Sequence, residues 1–219
     1  MMKWLRTLTD ILWPRGLTCI ACGEYAQGAP VCPECRKDLA RLQLSPAMAG
    51  DRMRSVYRYD GAAKRLVLAL KLENVADAAL PLAEAMAEAA LDMGLPPDTV
   101  LTWVTMPDIR RRKRGIDHGR RLCEAVAERV GLPCAKLLER TGKIHTQRGL
   151  SRDVRLRNLA GTVVCHQEMT TPVLLIDDVL TTGATASVCA DALLKAGARE
   201  VFVLTATRVI AKRKKNQKG

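Results

Sequence analysis

Thirteen consecutive residues constrain this chain more than any other stretch: Val173-Leu174-Leu175-Ile176-Asp177-Asp178-Val179-Leu180-Thr181-Thr182-Gly183-Ala184-Thr185. Four apolar residues without polar alternation predict a central strand of a parallel sheet covered on both faces. Two carboxylates follow, expected to face solvent at the strand's carboxyl end. A loop of hydroxyls and glycine then opens a helix over 184–196, stopped at Gly197. In open α/β sheets, ligands bind at that end of the strands. Thr181 to Thr185 can present successive backbone N–H groups and hydroxyls to a phosphate dianion, and Gly183 lets the backbone come close. Adjacent carboxylates would repel a bare phosphate. They suit sugar hydroxyls, which donate to them, or Mg²⁺. A ligand carrying both a phosphate and a ribose satisfies both halves of the stretch. The bland alternative is an ordinary strand–turn–helix. Neither G-x-x-x-x-G-K-[ST] nor G-x-G-x-x-G occurs, so P-loop and dinucleotide sites are excluded.

The rest of the chain fits an α/β domain with a small appendage. Met53, Tyr57 and Tyr59 alternate with Arg52, Arg54 and Arg58, as in a strand. Residues 61–74 and 76–93 read as helices, 99–106 as a buried strand and 119–130 as a helix. A short helix is expected from Ser151, a strand over 161–165 and a last strand over 200–206. The terminal strand–helix–strand is a βαβ unit with a right-handed crossover. Of the 219 residues 48% are hydrophobic but only 3% aromatic. Aliphatic side chains must therefore fill the core, and a stacking platform for single-stranded nucleic acid is disfavoured.

The N-terminal region has its own signature, Cys19, Cys22, Cys32 and Cys35 in the pattern C-x2-C-x9-C-x2-C. Two knuckles, each aiming two sulfurs at one centre, make a tetrahedral site suited to structural Zn²⁺. An iron–sulfur cluster, redox dithiols or plain buried cysteines are the alternatives. Cys123, Cys134, Cys165 and Cys189 are scattered in apolar surroundings and read as buried small hydrophobes. Residues 1–45 are expected to form one unit. In it Trp4, Leu5, Leu8, Ile11 and Leu12 mark a short amphipathic helix, and Arg6 and Asp10 spoil a signal-peptide core. No transmembrane run occurs, so a cytoplasmic location is expected.

The net charge of +12 is unevenly spread: residues 100–160 carry +9 and residues 208–219 carry +6. Arg208, Lys212, Arg213, Lys214, Lys215 and Lys218 read as a basic tail following an α/β domain over 46–207. Arg110 to Arg114 form a cluster suited to oxyanions. Lys64 and Lys71 share a helix face and could serve solvent or phosphate. His118 and His145 read as surface or packing residues, with acid–base roles as the alternative.

The thirteen-residue stretch resembles the PRPP-binding signature of type I phosphoribosyltransferases. Thr105-Met106-Pro107-Asp108 followed by the basic run, Thr146-Gln147-Arg148-Gly149-Leu150-Ser151 followed by Arg155, Arg157 and Asn158, and the four cysteines together resemble the ComF-type branch of that superfamily. Arg114-Gly115-Ile116-Asp117-His118 keeps only the R-G of the family's R-G-F-N-Q-like segment. The resemblance implies a phosphoribosyltransferase-like parallel sheet with flanking helices, plus a small N-terminal zinc ribbon. It implies a PRPP site built from Asp177, Asp178, Val179, Leu180, Thr181, Thr182, Gly183, Ala184 and Thr185 together with Arg110 and Arg114. Mg²⁺ would accompany PRPP, and Asp177 and Asp178 would act catalytically by holding the 2- and 3-hydroxyls. The first basic loop would hold pyrophosphate and the second would be a mobile flap. Ribose 5-phosphate would pass to an acceptor that the sequence does not identify. The alternative is a non-catalytic competence or DNA-uptake accessory protein, with single-stranded DNA or a competence helicase as partner.

Overall fold

The computed structural model describes residues 17–45, 52–73, 75–105, 117–140 and 162–210. The expected N-terminal helix, Arg110, Arg114, His145, the helix from Ser151 and residues 211–219 lie outside them. Six strands are described: β1 Met53–Arg58, β2 Val100–Trp103, β3 Glu139–Arg140, β4 Val163–Val164, β5 Val173–Leu180 and β6 Val201–Arg208. The five α-helices are α1 Pro33–Leu42, α2 Gly61–Leu72, α3 Ala79–Leu91, α4 His118–Val130 and α5 Ala184–Lys195. The four longer strands form one all-parallel sheet in the order β1-β6-β5-β2. β3 and β4 pair antiparallel as a separate small ribbon. No helix among the described residues is long and apolar enough to cross a membrane.

The unbroken apolar run of β5 has a simple cause. Leu174 and Ile176 join Leu101, Trp103, Phe202 and Leu204 in a core shared with α2, α3 and α4. Val173 and Leu175 join Val201 and Val203 in a second core, covered by Val188, Cys189 and Leu193 of α5. Side chains alternate between faces, but both faces are covered, so no polar position appears. Leu174, Leu175 and Ile176 are fully buried, and truncating any one to Ala would cost about 2–5 kcal/mol.

β1 departs from the alternation read in its sequence: Ser55, Val56 and Tyr57 are buried in succession. The chain leaving α1 covers the strand's outer edge. Leu44 N–H donates to Val56 O, and Gln43 bridges Tyr57. Arg54 reaches across to the Ala89 carbonyl at 3.0 Å, so its charge does not mark a solvent face. The helix read over 76–93 opens as a 3₁₀ turn at Ala76–Ala78 before α3 begins. The strand read over 161–165 shrinks to Val163–Val164.

The four-cysteine segment is not an independent bead. Cys35, Leu39 and Leu42 of α1 belong to the same core as α2 and α3. Asp38 of α1 accepts from the Ala62 N–H at 2.8 Å and so caps the start of α2. Gly61, at φ +46°, is required there because a Cβ would collide with the Asp38 carboxylate.

Candidate functional site

The sequence places the two carboxylates after β5, but they lie inside it. β5 continues to Leu180 because β6 keeps pairing with it as far as Leu180 opposite Arg208. β2 stops earlier, opposite Ile176, and among the described residues no strand pairs with the other edge of β5 beyond that point. Alternation puts Asp178 on the face of Leu174 and Ile176, and Asp177 on the face of Val173 and Leu175.

Asp178 is therefore buried, contrary to the expectation that both acids face solvent. Its Oδ1 lies 2.6 Å from Lys71 Nζ of α2, and its Oδ2 lies 3.1 Å from His118 Nε2 of α4. Thr207 donates to its backbone carbonyl at 2.8 Å. Burial works against its charge, but the His118 hydrogen bond and Lys71 outweigh that and hold its pKa below the usual carboxylate range. Asp177 is half-buried, and its Oδ1 accepts from the Asp178 N–H at 2.9 Å. Burial, then the negative charge of Asp178, push its pKa up to about 8. The adjacent acids thus differ in kind: Asp178 is a fixed anion with both oxygens engaged, whereas Asp177 can change protonation near neutral pH.

Beyond Leu180 the chain turns through Thr181 and Thr182 to Gly183, which sits at φ +78° as the N-cap of α5. That left-handed conformation suits glycine, and no side chain at Gly183 occupies the helix end. The Thr182 hydroxyl accepts weakly from the Ala184 N–H at 3.4 Å. Thr181, Thr182, Gly183 and Arg208 line a cavity of about 330 Å³, closed by Met53, Val203 and the Ala186–Ala190 face of α5. Half-exposed hydroxyl and N–H donors at a helix start can take a phosphate-sized anion.

Three participants were not assigned to this site from sequence. The sequence leaves Lys71 between solvent and phosphate, marks His118 as surface or packing, and puts Arg208 in the tail. Lys71 carries one local signal, a charge one turn beyond the buried Val67. Its neighbour Lys64 behaves as a solvent residue, exposed and 5.9 Å above the Tyr59 ring. His118 Nδ1 and Thr105 Oγ1, both buried near the carboxyl end of β2, have no hydrogen-bond partner among the described residues.

The ligand sulfurs of Cys19, Cys22, Cys32 and Cys35 all lie within 4.8 Å of one another. Cys22 and Cys32 are 3.7 Å apart. Four sulfurs bound at 2.3 Å around a tetrahedral ion would be separated by about 3.8 Å, so the cluster fits Zn²⁺. Among the described residues no second group of three or more such ligand atoms gathers.

No protein-family model matches the chain. Two curated proteins are similar to it along nearly their whole length, the DNA utilization protein YhgH of Salmonella typhi and that of Salmonella typhimurium. Each is 28% identical over 228 residues, spanning 94% of this chain and 96% of theirs. Among solved structures the chain is similar to the glutamine PRPP amidotransferase from B. subtilis complexed with ADP and GMP. The identity is 17% and the TM-score 0.43, over 64% of this chain and 30% of that one. It is also similar to the adenine phosphoribosyltransferase from Leishmania tarentolae, with 19% identity and a TM-score of 0.39 over 78% of this chain and 71% of that one.

Proposed function

We propose that the chain binds PRPP at the carboxyl end of β5 and that its α/β domain, residues 46–207, is a phosphoribosyltransferase-like unit. One observation carries the reading. Two acids of β5 run directly into the Thr181-Thr182-Gly183 turn that opens α5, with a cavity against the turn. The 5′-phosphate would take the N–H and hydroxyl donors of Thr181 to Thr185. Asp177, half-buried and with Oδ1 accepting from the Asp178 N–H, would take ribose hydroxyls. Asp178 would act from beneath, its charge fixed by Lys71 and His118. Arg110 and Arg114 would meet the pyrophosphate. Mg²⁺ would arrive on the pyrophosphate, since both oxygens of Asp178 are already engaged. It would supply charge neutralisation as pyrophosphate leaves. Zn²⁺ on the four cysteines would be structural, with no position left for chemistry.

The test is a thermal-shift titration of the full chain with PRPP and Mg²⁺, followed by pyrophosphate release against a panel of acceptors. A raised Tm that Asp177→Asn weakens supports the site. Release with one acceptor makes the protein a transferase. No shift at millimolar PRPP overturns the reading.

A second reading is favoured by the similarity to proteins named for DNA utilization. Here the chain is a DNA-processing accessory in which PRPP is an effector, and the basic tail or a competence helicase supplies the contact with DNA. PRPP binding without turnover, together with salt-sensitive binding of single-stranded DNA, would select it.

A further inference from the structure

Two of the cysteines that the sequence marks as buried small hydrophobes are brought together. Sγ of Cys123, in α4, lies 2.9 Å from Sγ of Cys134, in the segment that follows the helix. That is within about 1 Å of a disulfide bond length. Both positions are held by regular structure. Cys123 is fully buried in the core beneath α4. Cys134 is bridged to Leu101, whose N–H donates to Pro133 O at 2.8 Å and whose carbonyl accepts from Ala135 N–H at 2.9 Å. The segment is thus pinned along the outer edge of β2.

The two sulfurs differ in access. Cys134 is half-exposed and lines an open cavity of about 370 Å³ with Trp103, Asp117, Arg120, Glu124 and Lys136. Its thiol pKa is lowered, first by the hydrogen bond it shares with Cys123 and also by Arg120, against the opposing effects of burial and Glu124. The Cys123 thiol is pushed up by that same bond and by burial. A reachable sulfur 2.9 Å from a buried thiol is the arrangement of an attacking and a resolving cysteine.

We propose that Cys123 and Cys134 are a reversible oxidation site, in which Cys134 reacts with a hydroperoxide and Cys123 closes an intramolecular disulfide. The Cys134 thiolate attacks one peroxide oxygen and the O–O bond breaks. This leaves a sulfenic acid on Cys134, and hydroxide departs and takes up a proton. Cys123 sulfur then attacks Cys134 sulfur, and the S–O bond breaks. The oxygen leaves as water with the Cys123 proton. Two thiols and one hydrogen peroxide become one disulfide and two waters, and a dithiol reductant reverses the bond by exchange. The bond would tie α4, which presents His118 to Asp178, to the edge of β2.

The experiment uses the full chain loaded with zinc, which protects the four clustered cysteines. Hydrogen peroxide is added to the folded protein, and thiols are mapped by differential alkylation and peptide mass. The expected result is loss of two free thiols, a peptide crosslinked between Cys123 and Cys134, and recovery of both thiols with dithiothreitol at unchanged zinc content. Cys134→Ser should leave Cys123 unoxidised, and Cys123→Ala should stop at a sulfenic acid trapped on Cys134 by dimedone. If Cys123→Ala fails to fold, wild type and Cys134→Ser decide the matter alone. A crosslink that forms only in urea, or oxidation in which Cys134 is spared, overturns the proposal.

Discussion

Lys71 Nζ lies 2.6 Å from Asp178 Oδ1, joining α2 to the carboxyl end of β5, with the two side chains 24% and 6% exposed. The same α2 is capped by Asp38 of α1 and packs on it. A path of direct contacts therefore runs from the four-cysteine cluster through α1 and α2 to the acid of the candidate site.

Lys71→Met keeps the aliphatic stem and deletes the cation, leaving Asp178 charged with His118 alone. The expected loss is about 2–3 kcal/mol, roughly 5–10 °C in Tm. Adding Asp178→Asn should cost less than the sum of the two single changes, because the buried charge disappears with its partner. Calorimetric melts of the three variants measure this, and strictly additive losses would mean that the residues do not couple.

The two acids give opposite pH dependences. The folded pKa of Asp178 is lowered, so its contribution is present above the unfolded value near 3.9 and lost as pH falls through the folded one. The folded pKa of Asp177 is raised to about 8, so its contribution is full below about 3.9 and lost as pH rises through 8. Between pH 6 and 9 wild type should lose stability that Asp177→Asn does not lose. The Tm of the variant should therefore rise relative to that of wild type as pH increases across that range. Parallel Tm curves for the two proteins across that range would contradict the assignment.

Zinc should matter beyond its own knuckles. Cys35→Ser is expected to lose the metal and, because α1 shares the core of α2 and α3, to lower the main unfolding transition as well. Metal analysis with and without chelator, beside a melt of the same samples, checks both parts. An unchanged main transition in metal-free protein would mean that the knuckle folds apart from the sheet.

Gly183→Ala meets nothing closer than Leu180 Cδ1 at 3.9 Å, so its cost is backbone strain at φ +78°, about 1–2 kcal/mol. It should also reduce the PRPP-dependent rise in Tm, since the N–H groups of this turn would meet the 5′-phosphate in the proposed site. Gly61→Ala should cost more, because its Cβ also meets the Asp38 carboxylate. Denaturant melts rank the two.

The basic tail gives a salt prediction. Arg208 closes β6, so five cations remain in residues 211–219. If these carry DNA contact, log affinity for single strands should fall with log salt at a slope no steeper than about −3.5. Deleting 211–219 should remove most of the binding and leave the PRPP response intact. Equal binding by truncated and full-length protein would move the contact to the basic stretch 100–160.

The sequence by itself determined the elements whose causes are local. The unbroken Val173–Ile176 run marks a strand covered on both faces. Gly183 and Gly197 mark where a helix starts and stops, and two C-x2-C pairs gather four sulfurs, because each pattern is set by neighbours within a turn or a pleat. Strand alternation even implies that Asp177 and Asp178 point to opposite faces once both lie within β5. How far β5 extends was decided by its pairing with β6. Only the tertiary structure decided what Asp178 meets. Lys71 and His118 come from helices on separate connections, and nothing local to either residue names its partner. The same holds for Cys123 and Cys134, whose approach depends on α4 packing against a segment pinned to β2. Contacts across elements are fixed by the way helices settle on the sheet, and that packing is written in the summed core rather than in any short stretch.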